Sequence, residues 1–347
     1  MLKGPPSGDD EGMATPDGAP ELADVLRARR RIAPHLPRTP LRNYPLLDDL
    51  VGAEVHVKHE NHLPTGAFKV RGGINLISTL EPSEREAGVL AASTGNHGQS
   101  IAYAARLFGI PASIFVPEAP NPVKLASMRA LGAEVIEGGA DFNHAVERCE
   151  AEATRRGGRY VHSGNEPLLI AGVATGSLET LEDRPDVDVL IVPVGGGSGA
   201  AGACMVAGAV RPGLEVIGVQ SDAAPSAYLS WSARSLVEDR IATAAEGLAN
   251  RIPFQLPQRI LWERLDDFVL VSDDELRRAA LHMIELTRNL VELAGAAALA
   301  AALKLRERLA GRRVAIVCSG GNISPAQLAE LLDFGDSGLS PSARGSS

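Results

Sequence analysis

The sequence predicts an α/β protein of two domains with a cleft between them. Three observations carry that expectation. Short apolar, strand-like segments alternate with segments of helical spacing through most of the 347 residues. The strongest of these segments, 187–194, is apolar almost throughout, and short apolar strands set between helices argue for a mostly parallel sheet. The alternation also falls into two series, near 88–160 and 187–320, which suggests a sheet for each.

Residues 1–20, rich in Gly, Pro and Asp, read as a disordered leader and lack the apolar core of a signal peptide. Residues 54–58 form a short extended stretch, and 72–78 belong to a helix that follows a loop. A strand at 88–92 enters the loop 93–98, and 99–108 carry small and apolar residues at helical spacing. The strand 112–116 is closed by Pro117 and a turn at Asn121 and Pro122. A helix over 123–131 ends at Gly132, a strand follows at 134–136, and a longer helix covers 142–156. After Asn165 the pattern resumes with a helix at 169–181 and the strand 187–194. A glycine-rich turn, an Ala-rich helix and a strand at 215–220 come next. Helices are expected at 273–286 and 294–309, the latter with Leu299, Leu303 and Leu309 on its apolar face, and 313–318 is the last strand. Residues 335–347, rich in Gly and Ser, read as a loose tail.

Composition narrows the function. Against 34 Lys and Arg stand 43 Asp and Glu, a formal net charge of −9, and the longest basic run is the short one at Arg29–Arg31, so nucleic acid is not an expected partner. Aromatics at 4% leave no stacking platform for bases. The Leu- and Ala-rich run 293–303 is too short to span a bilayer, so no membrane partner is expected. Cys149, Cys204 and Cys318 lie far apart with no CxxC, which excludes a thiolate cage and reads as reduced, buried thiols of a cytoplasmic protein.

Four segments could carry chemistry. Residues 194–199 read V-G-G-G-S-G after an apolar strand, where Gly195, Gly196, Gly197, Ser198 and Gly199 could turn several N–H groups onto a phosphate at a helix N-terminus. The spacing is not that of a nucleoside-triphosphate loop, and a plain strand–helix turn is the alternative. Residues 93–98 read S-T-G-N-H-G and offer hydroxyls, an amide and backbone donors suited to a carboxylate; His97 is available as a base, although a lone histidine is more often structural. Residues 64–73 read P-T-G-A-F-K-V-R-G-G, with one lysine in an apolar, glycine-flanked segment. Desolvated lysine can lose its proton and form an imine with a carbonyl, whereas the plain reading is a lysine that snorkels to the surface. Residues 319–322 read S-G-G-N after the last strand and could place a hydroxyl at the carboxyl edge of a sheet.

With these four motifs in this order, the chain resembles the fold type II pyridoxal-phosphate enzymes, and most closely the serine/threonine dehydratases and their serine racemase relatives, from about Pro40 to Pro325. The resemblance implies two three-layer α/β/α domains of the tryptophan synthase β-subunit type. Residues 21–87 with 161–334 would form a discontinuous large domain that binds pyridoxal 5′-phosphate, and 88–160 a small mobile one. Lys69 would hold the cofactor through an imine, give way to the substrate amine, and then remove the α-proton. Phe68 would lie against one face of the ring and Gly247 against the other. Gly195 to Gly199 would cup the phosphate, Asn96 would contact the 3′-oxygen, and Ser319 would face the ring nitrogen. Ser93, Thr94, Gly95 and His97 would receive the substrate carboxylate, with Glu292 as an acid near the site. The implied reaction is loss of water from L-threonine or L-serine, then release of ammonia and a 2-oxo acid, by a homodimer.

Departures from the family pattern set further expectations. Ser198 stands where the phosphate cup often has a fourth glycine, and Ala67 where Ser is common. Thr94 occupies the place of Ala in many dehydratases and Ser in racemases, so its hydroxyl could reprotonate from the face opposite Lys69 or simply bind the carboxylate. Gln220 and Ser226 stand where the divalent-ion site of racemases has acidic ligands, with Asp222 close by, so no metal is expected. The chain stops soon after Ser319, which implies a catabolic enzyme without the regulatory domain of biosynthetic relatives. Alternatives are serine racemase, a dehydratase of 3-hydroxyaspartate, phenylserine or an osmolyte-derived substrate, a β-replacement or threonine synthase enzyme, and a non-catalytic amino-acid-binding module. Hydroxyaspartate would call for an extra cation, for which Arg71 and Arg129 are nominal candidates.

Overall fold

The computed structural model describes residues 18–118, 122–139 and 142–338. The chain opens with α1 (Leu22–Ile32), whose start is fixed by a capping box between Glu21 and Asp24. The edge strand β1 (Leu41–Asn43) leads through α2 (Pro45–Val51) into β2 (Glu54–His59), and α3 (Lys69–Ile77) and α4 (Pro82–Ala87) follow. Then come β3 (Val89–Ala92), α5 (Asn96–Phe108), β4 (Ala112–Val116), α6 (Pro122–Ala130), β5 (Glu134–Glu137), α7 (Phe142–Arg156) and β6 (Arg159–Tyr160). The remainder alternates as α8 (Pro167–Asp183), β7 (Val189–Pro193), α9 (Ser198–Val210), β8 (Glu215–Ser221), α10 (Ser226–Ala233), α11 (Gln255–Arg264) and β9 (Asp267–Val271). It closes with α12 (Asp273–Thr287), α13 (Leu293–Lys304), α14 (Arg306–Leu309), β10 (Arg313–Cys318) and α15 (Pro325–Gly338).

The strands form two sheets, one ordered β1-β2-β10-β7-β8-β9 and the other β5-β4-β3-β6. Among the described strands only β1 runs antiparallel to its neighbour, and β10 pairs in parallel with β2 (Val55 opposite Val314) and with β7 (Val189 opposite Val314). Parallel strands need both faces covered. Accordingly β3 and β4 are buried along their whole length, and β8 at every residue after Glu215. The α/β class expected from the alternation is thus what the chain folds into.

Differences from the sequence reading are local. The helix expected at 72–78 begins at Lys69, so the lysine sits in its first turn rather than in the preceding loop. The single helix expected at 294–309 breaks at Leu305 (φ −95°, ψ 8°), and the short α14 turns Leu309 into the core while Arg308 pairs with Glu215 and Asp267. Pro20 is buried and Ala19 packs on the core, so the expected leader gives way to fixed chain by residue 18; residues 1–17 lie outside the described part. The expected tail from 335 is helical to Gly338, because α15 packs on α12, where a Cβ on Gly335 would come 3.1 Å from Leu281. Residues 339–347 and Asn121 of the expected turn lie outside the described residues. Among the described residues no helix is long and apolar enough to cross a membrane.

Glycine faces lock α3 in place between α5 and α8. A Cβ on Gly72 would lie 2.9 Å from the Leu169 carbonyl oxygen, one on Gly172 2.6 Å from Gly72 Cα, and one on Gly73 2.4 Å from Ser100 Oγ. Each glycine in a helix interior costs about 1 kcal/mol of propensity. The return is backbone-to-backbone approach of three helices, and it fixes where the first residue of α3 points.

Candidate active site

The segment ahead of α3 is laced to the turn that follows β10. Ala67 and Gly320 form an antiparallel bridge, Phe68 N–H donates to the Ser319 carbonyl at 3.1 Å, and Gly321 N–H donates to the Gly66 carbonyl at 2.9 Å. Two motifs 250 residues apart in the chain therefore lie side by side, with Ser319 at the carboxyl end of a central parallel strand where α/β sites form. Among the described residues the Ser319 hydroxyl has one long bond, 3.4 Å to the Ala294 carbonyl.

Lys69 points from the start of α3 at the turn between β7 and α9. Its Nζ lies 2.8 Å from Ser198 Oγ and 3.4 Å from the Ser163 carbonyl oxygen, and 5.2 Å from the Phe68 ring centroid. No carboxylate answers its charge in those contacts, so burial lowers the ammonium from its ordinary range to about 8. The Ser100 hydroxyl, donating to the Lys69 carbonyl at 2.7 Å, holds the backbone beneath it.

The turn at 195–199 is a cradle that side chains would fill. A Cβ on Gly195 would sit 2.1 Å from the Gly247 carbonyl oxygen, and one on Gly196 2.2 Å from the Phe254 ring. Gly197 adopts a left-handed φ of 87°, which tips the chain into α9, and α9 has no side-chain cap. The first N–H groups of a helix have no acceptor within it, and with the helix dipole they form an anion site. Gly199 faces Phe68, since its Cβ would lie 3.2 Å from that ring.

The third turn, after β3, is shaped by Ser93, whose Oγ accepts from Gly95 N–H at 3.2 Å and Gly98 N–H at 2.9 Å. Thr94 and Gly95 are half-buried in it. Asn96 opens α5 and donates to Glu292 Oε1 at 2.8 Å, while its own Oδ1 accepts from Asn322 at 2.7 Å. Burial pushes the Glu292 carboxyl upward, partly offset by that bond from Asn96, and its Oε1 fills the space a Cβ on Gly320 would take, at 2.2 Å. His97 is buried, with Nε2 3.2 Å from the Val161 carbonyl; burial first, then the charge of Lys69, lowers its pKa to about 3. The ring is neutral and its Nε2–H is spent on that carbonyl, so it braces α5.

Several residues at the site were not singled out from the sequence. Asn322 completes the Asn96–Glu292 chain and also donates to the Thr65 carbonyl at 2.9 Å. Phe254 fits between Gly164 and Gly196 and meets His162 edge to face at 4.7 Å. Lys124 reaches from α6 to pair with Glu246, next to Gly247. Arg71, the nominal cation for a second carboxylate, is turned away: it is buried on Glu60 and Glu179 with bonds of 2.7–2.8 Å. Arg129 is exposed and paired with Glu137.

Residues 32–320 match the family described as Pyridoxal-phosphate dependent enzyme. The chain belongs to that family. An L-threonine ammonia-lyase of Thermotoga maritima is 38% identical over 316 residues, 90% of this chain and 78% of the relative. Among solved structures, a threonine deaminase of T.th. superposes with a TM-score of 0.83 at 36% identity, covering 88% of this chain and 99% of that one. Maize serine racemase superposes with a TM-score of 0.86 at 29% identity, covering 92% and 99%.

The geometry fits the family's cofactor. A cradle of glycine backbone at an uncapped helix start suits its phosphate, a lysine with its ammonium lowered to about 8 suits imine formation, and a hydroxyl with one long bond suits a ring nitrogen. Lys69, Ser198 and the 195–199 backbone, Asn96 and Ser319 are the groups of this family member that would hold it.

Proposed function

We propose that this family member is an ammonia-lyase for L-threonine and L-serine, removing water across the α,β-bond and then, as a water adds back to the resulting imine, releasing ammonia to leave 2-oxobutanoate or pyruvate. The observation that carries the reading is Lys69: an amine lowered to about 8, 2.8 Å from Ser198 in the anion cradle and tied through Phe68 to Ser319. The names of the Thermotoga ammonia-lyase and the T.th. deaminase support it. When bound, the cofactor supplies the electron sink for the α-carbon. Lys69 Nζ, with its ammonium lowered to about 8, takes the α-proton and then returns one to the departing hydroxyl. Thr94, Asn96 and His97 present backbone N–H groups at the start of α5 to the carboxylate, since those of Ser93 and Gly95 are held by the Phe115 carbonyl and Ser93 Oγ. Ser319, a neutral hydroxyl with one long bond, would hold the ring nitrogen without a carboxylate's charge, which would suit elimination. The unit 88–160, mobile in this reading, closes over the cleft and excludes water. Three buried, unpaired cysteines agree with a reducing cytoplasm, and a two-fold homodimer is the commonest assembly for such a chain.

The test is release of 2-oxo acid by the cofactor-loaded protein from L-threonine and L-serine side by side. Oxo acid from either supports the reading, and none from both rejects it. A second activity, racemisation of serine, is favoured by the hydroxyl of Thr94 in the carboxylate turn and by the likeness to maize serine racemase. A chiral assay that finds no D-serine from L-serine rejects that second reading.

A further inference from the structure

Lys124 is a buried cation that the reaction just described does not use. It is 7% exposed, and its ammonium sits where three parts of the site meet. It pairs with Glu246, the residue before Gly247. A Cβ on Gly95, in the carboxylate turn, would lie 3.9 Å from its Nζ. Its charge also acts on the Glu292 carboxyl, which Asn96 of the same turn binds.

The carboxylate turn brings no positive charge of its own. Ser93 Oγ is occupied by two N–H groups of the turn, and the neutral His97 ring is engaged with Val161. Backbone N–H groups and the α5 dipole can orient a carboxylate there, but an ion taken out of water into a closing site needs a counter-charge. The ammonium beside Gly95 is in place to provide it. Glu246 neutralises that ammonium meanwhile, with its other oxygen accepting from Gln327 at 3.3 Å, and its side chain is 44% exposed, so it can turn out to water when a ligand carboxylate arrives.

We propose that Lys124 is the cation that recognises the α-carboxylate of the amino-acid substrate, with Glu246 as its resting, displaceable partner. The inference rests on the proposed amino-acid substrate but not on elimination itself. The same placement makes Lys124 a selector of acids over amides and esters, because a neutral ligand gains nothing from exchanging with Glu246.

The test uses the holoenzyme loaded with pyridoxal phosphate and two ligands that lack a β-hydroxyl, L-alanine and L-alaninamide, titrated by the change in cofactor absorbance. For Lys124→Met, binding of L-alanine is expected to weaken by about tenfold to a hundredfold, the range of a hydrogen bond to a charged group. Binding of L-alaninamide should stay within about twofold. For Glu246→Gln, L-alanine should bind more tightly and L-alaninamide as before. Equal weakening of both ligands by Lys124→Met would mean a purely structural tie across the cleft and overturns the proposal, as does no weakening of either. Should Lys124→Met fail to fold, Glu246→Gln decides: unchanged L-alanine affinity overturns it. A wild-type protein that prefers L-alanine over its amide but releases no oxo acid from threonine or serine rejects the lyase reading and leaves Lys124 in its role.

Discussion

Replacing Glu179 with alanine should destabilise the protein by about 4 kcal/mol and make its stability rise with pH. Glu179 accepts from Lys58 Nζ at 2.7 Å and from both terminal nitrogens of Arg71 at 2.8 Å, while Glu60 takes the rest of the Arg71 guanidinium at 2.7 and 2.8 Å. Lys58, Glu60, Arg71 and Glu179 are at most 5% exposed, and their four charges cancel. The substitution leaves two buried cations on one carboxylate. Breaking a buried pair by removing one partner costs about 3–5 kcal/mol. A second route to the magnitude starts from Lys58, whose pKa burial already lowers. Forcing off its proton at pH 7.5, about three units below its ordinary value near 10.4, costs about 4 kcal/mol at about 1.4 kcal/mol per unit. The two figures agree, and against a total stability of about 5–15 kcal/mol the loss is severe. The sign of the pH effect follows from proton counting. The unfolded variant keeps the Lys58 proton up to about pH 10 and the folded variant does not, so the unfolded state binds more protons and stability climbs across that window. Urea titrations at pH 7 and pH 9 read both quantities. Lys58→Met combined with Glu179→Ala restores neutrality around the intact Arg71–Glu60 pair and should recover more than half of the loss. A Glu179→Ala protein within about 1 kcal/mol of wild type, below the range for a broken buried pair, would refute the reasoning. So would one that gains no more stability than wild type between the two pH values.

Three further outcomes follow from the site. Lys69→Ala should lose oxo-acid release and the visible absorbance of bound cofactor together, because one amine serves both; retained turnover would contradict its role. Uptake of pyridoxal phosphate by cofactor-free protein, followed by absorbance, should quicken with pH and level off above about 8, since burial lowers the Lys69 ammonium to that value and the neutral amine is the nucleophile. A rate still climbing at pH 10 would count against it. Turnover should survive a chelator, because Gln220 accepts from the N–H groups of Ala227 and Tyr228 at 3.1 Å and Ser226 donates to the Asn250 carbonyl at 2.7 Å, which leaves neither oriented toward a cation. Loss of activity with chelator and its return with magnesium would reverse that expectation.

What the sequence made legible, and what it did not, divides along a physical line. Local period and punctuation are written into neighbouring residues, so β7, the turn at 195–199 and the turn at 93–98 could be read directly. The start of α3 at Lys69 was missed because it depends on the bridge between Ala67 and Gly320, a contact the local pattern does not encode. Lys124 was missed for a like reason: on its own helix it reads as any surface lysine, and only the approach of α6 to Glu246 and Gly95 buries it. The buried quartet had a signal that went unused. Lys58 sits in a strand buried at five of six positions, Arg71 in a helix buried from Val70 to Ile77, and Glu179 in a helix buried from Leu169 to Leu181. A charge placed inside an apolar run cannot stay unpaired once the run is buried. Two such cations in separate elements therefore call for carboxylates from others, and Glu60 and Glu179 are the ones that answer. The pairing in turn requires α3, α8 and the end of β2 to converge, which the contact of Gly72 with Gly172 permits. The same convergence aims Lys69, two residues before Arg71, into the cleft, so the charges that stabilise the fold and the amine proposed for the chemistry depend on one helix crossing.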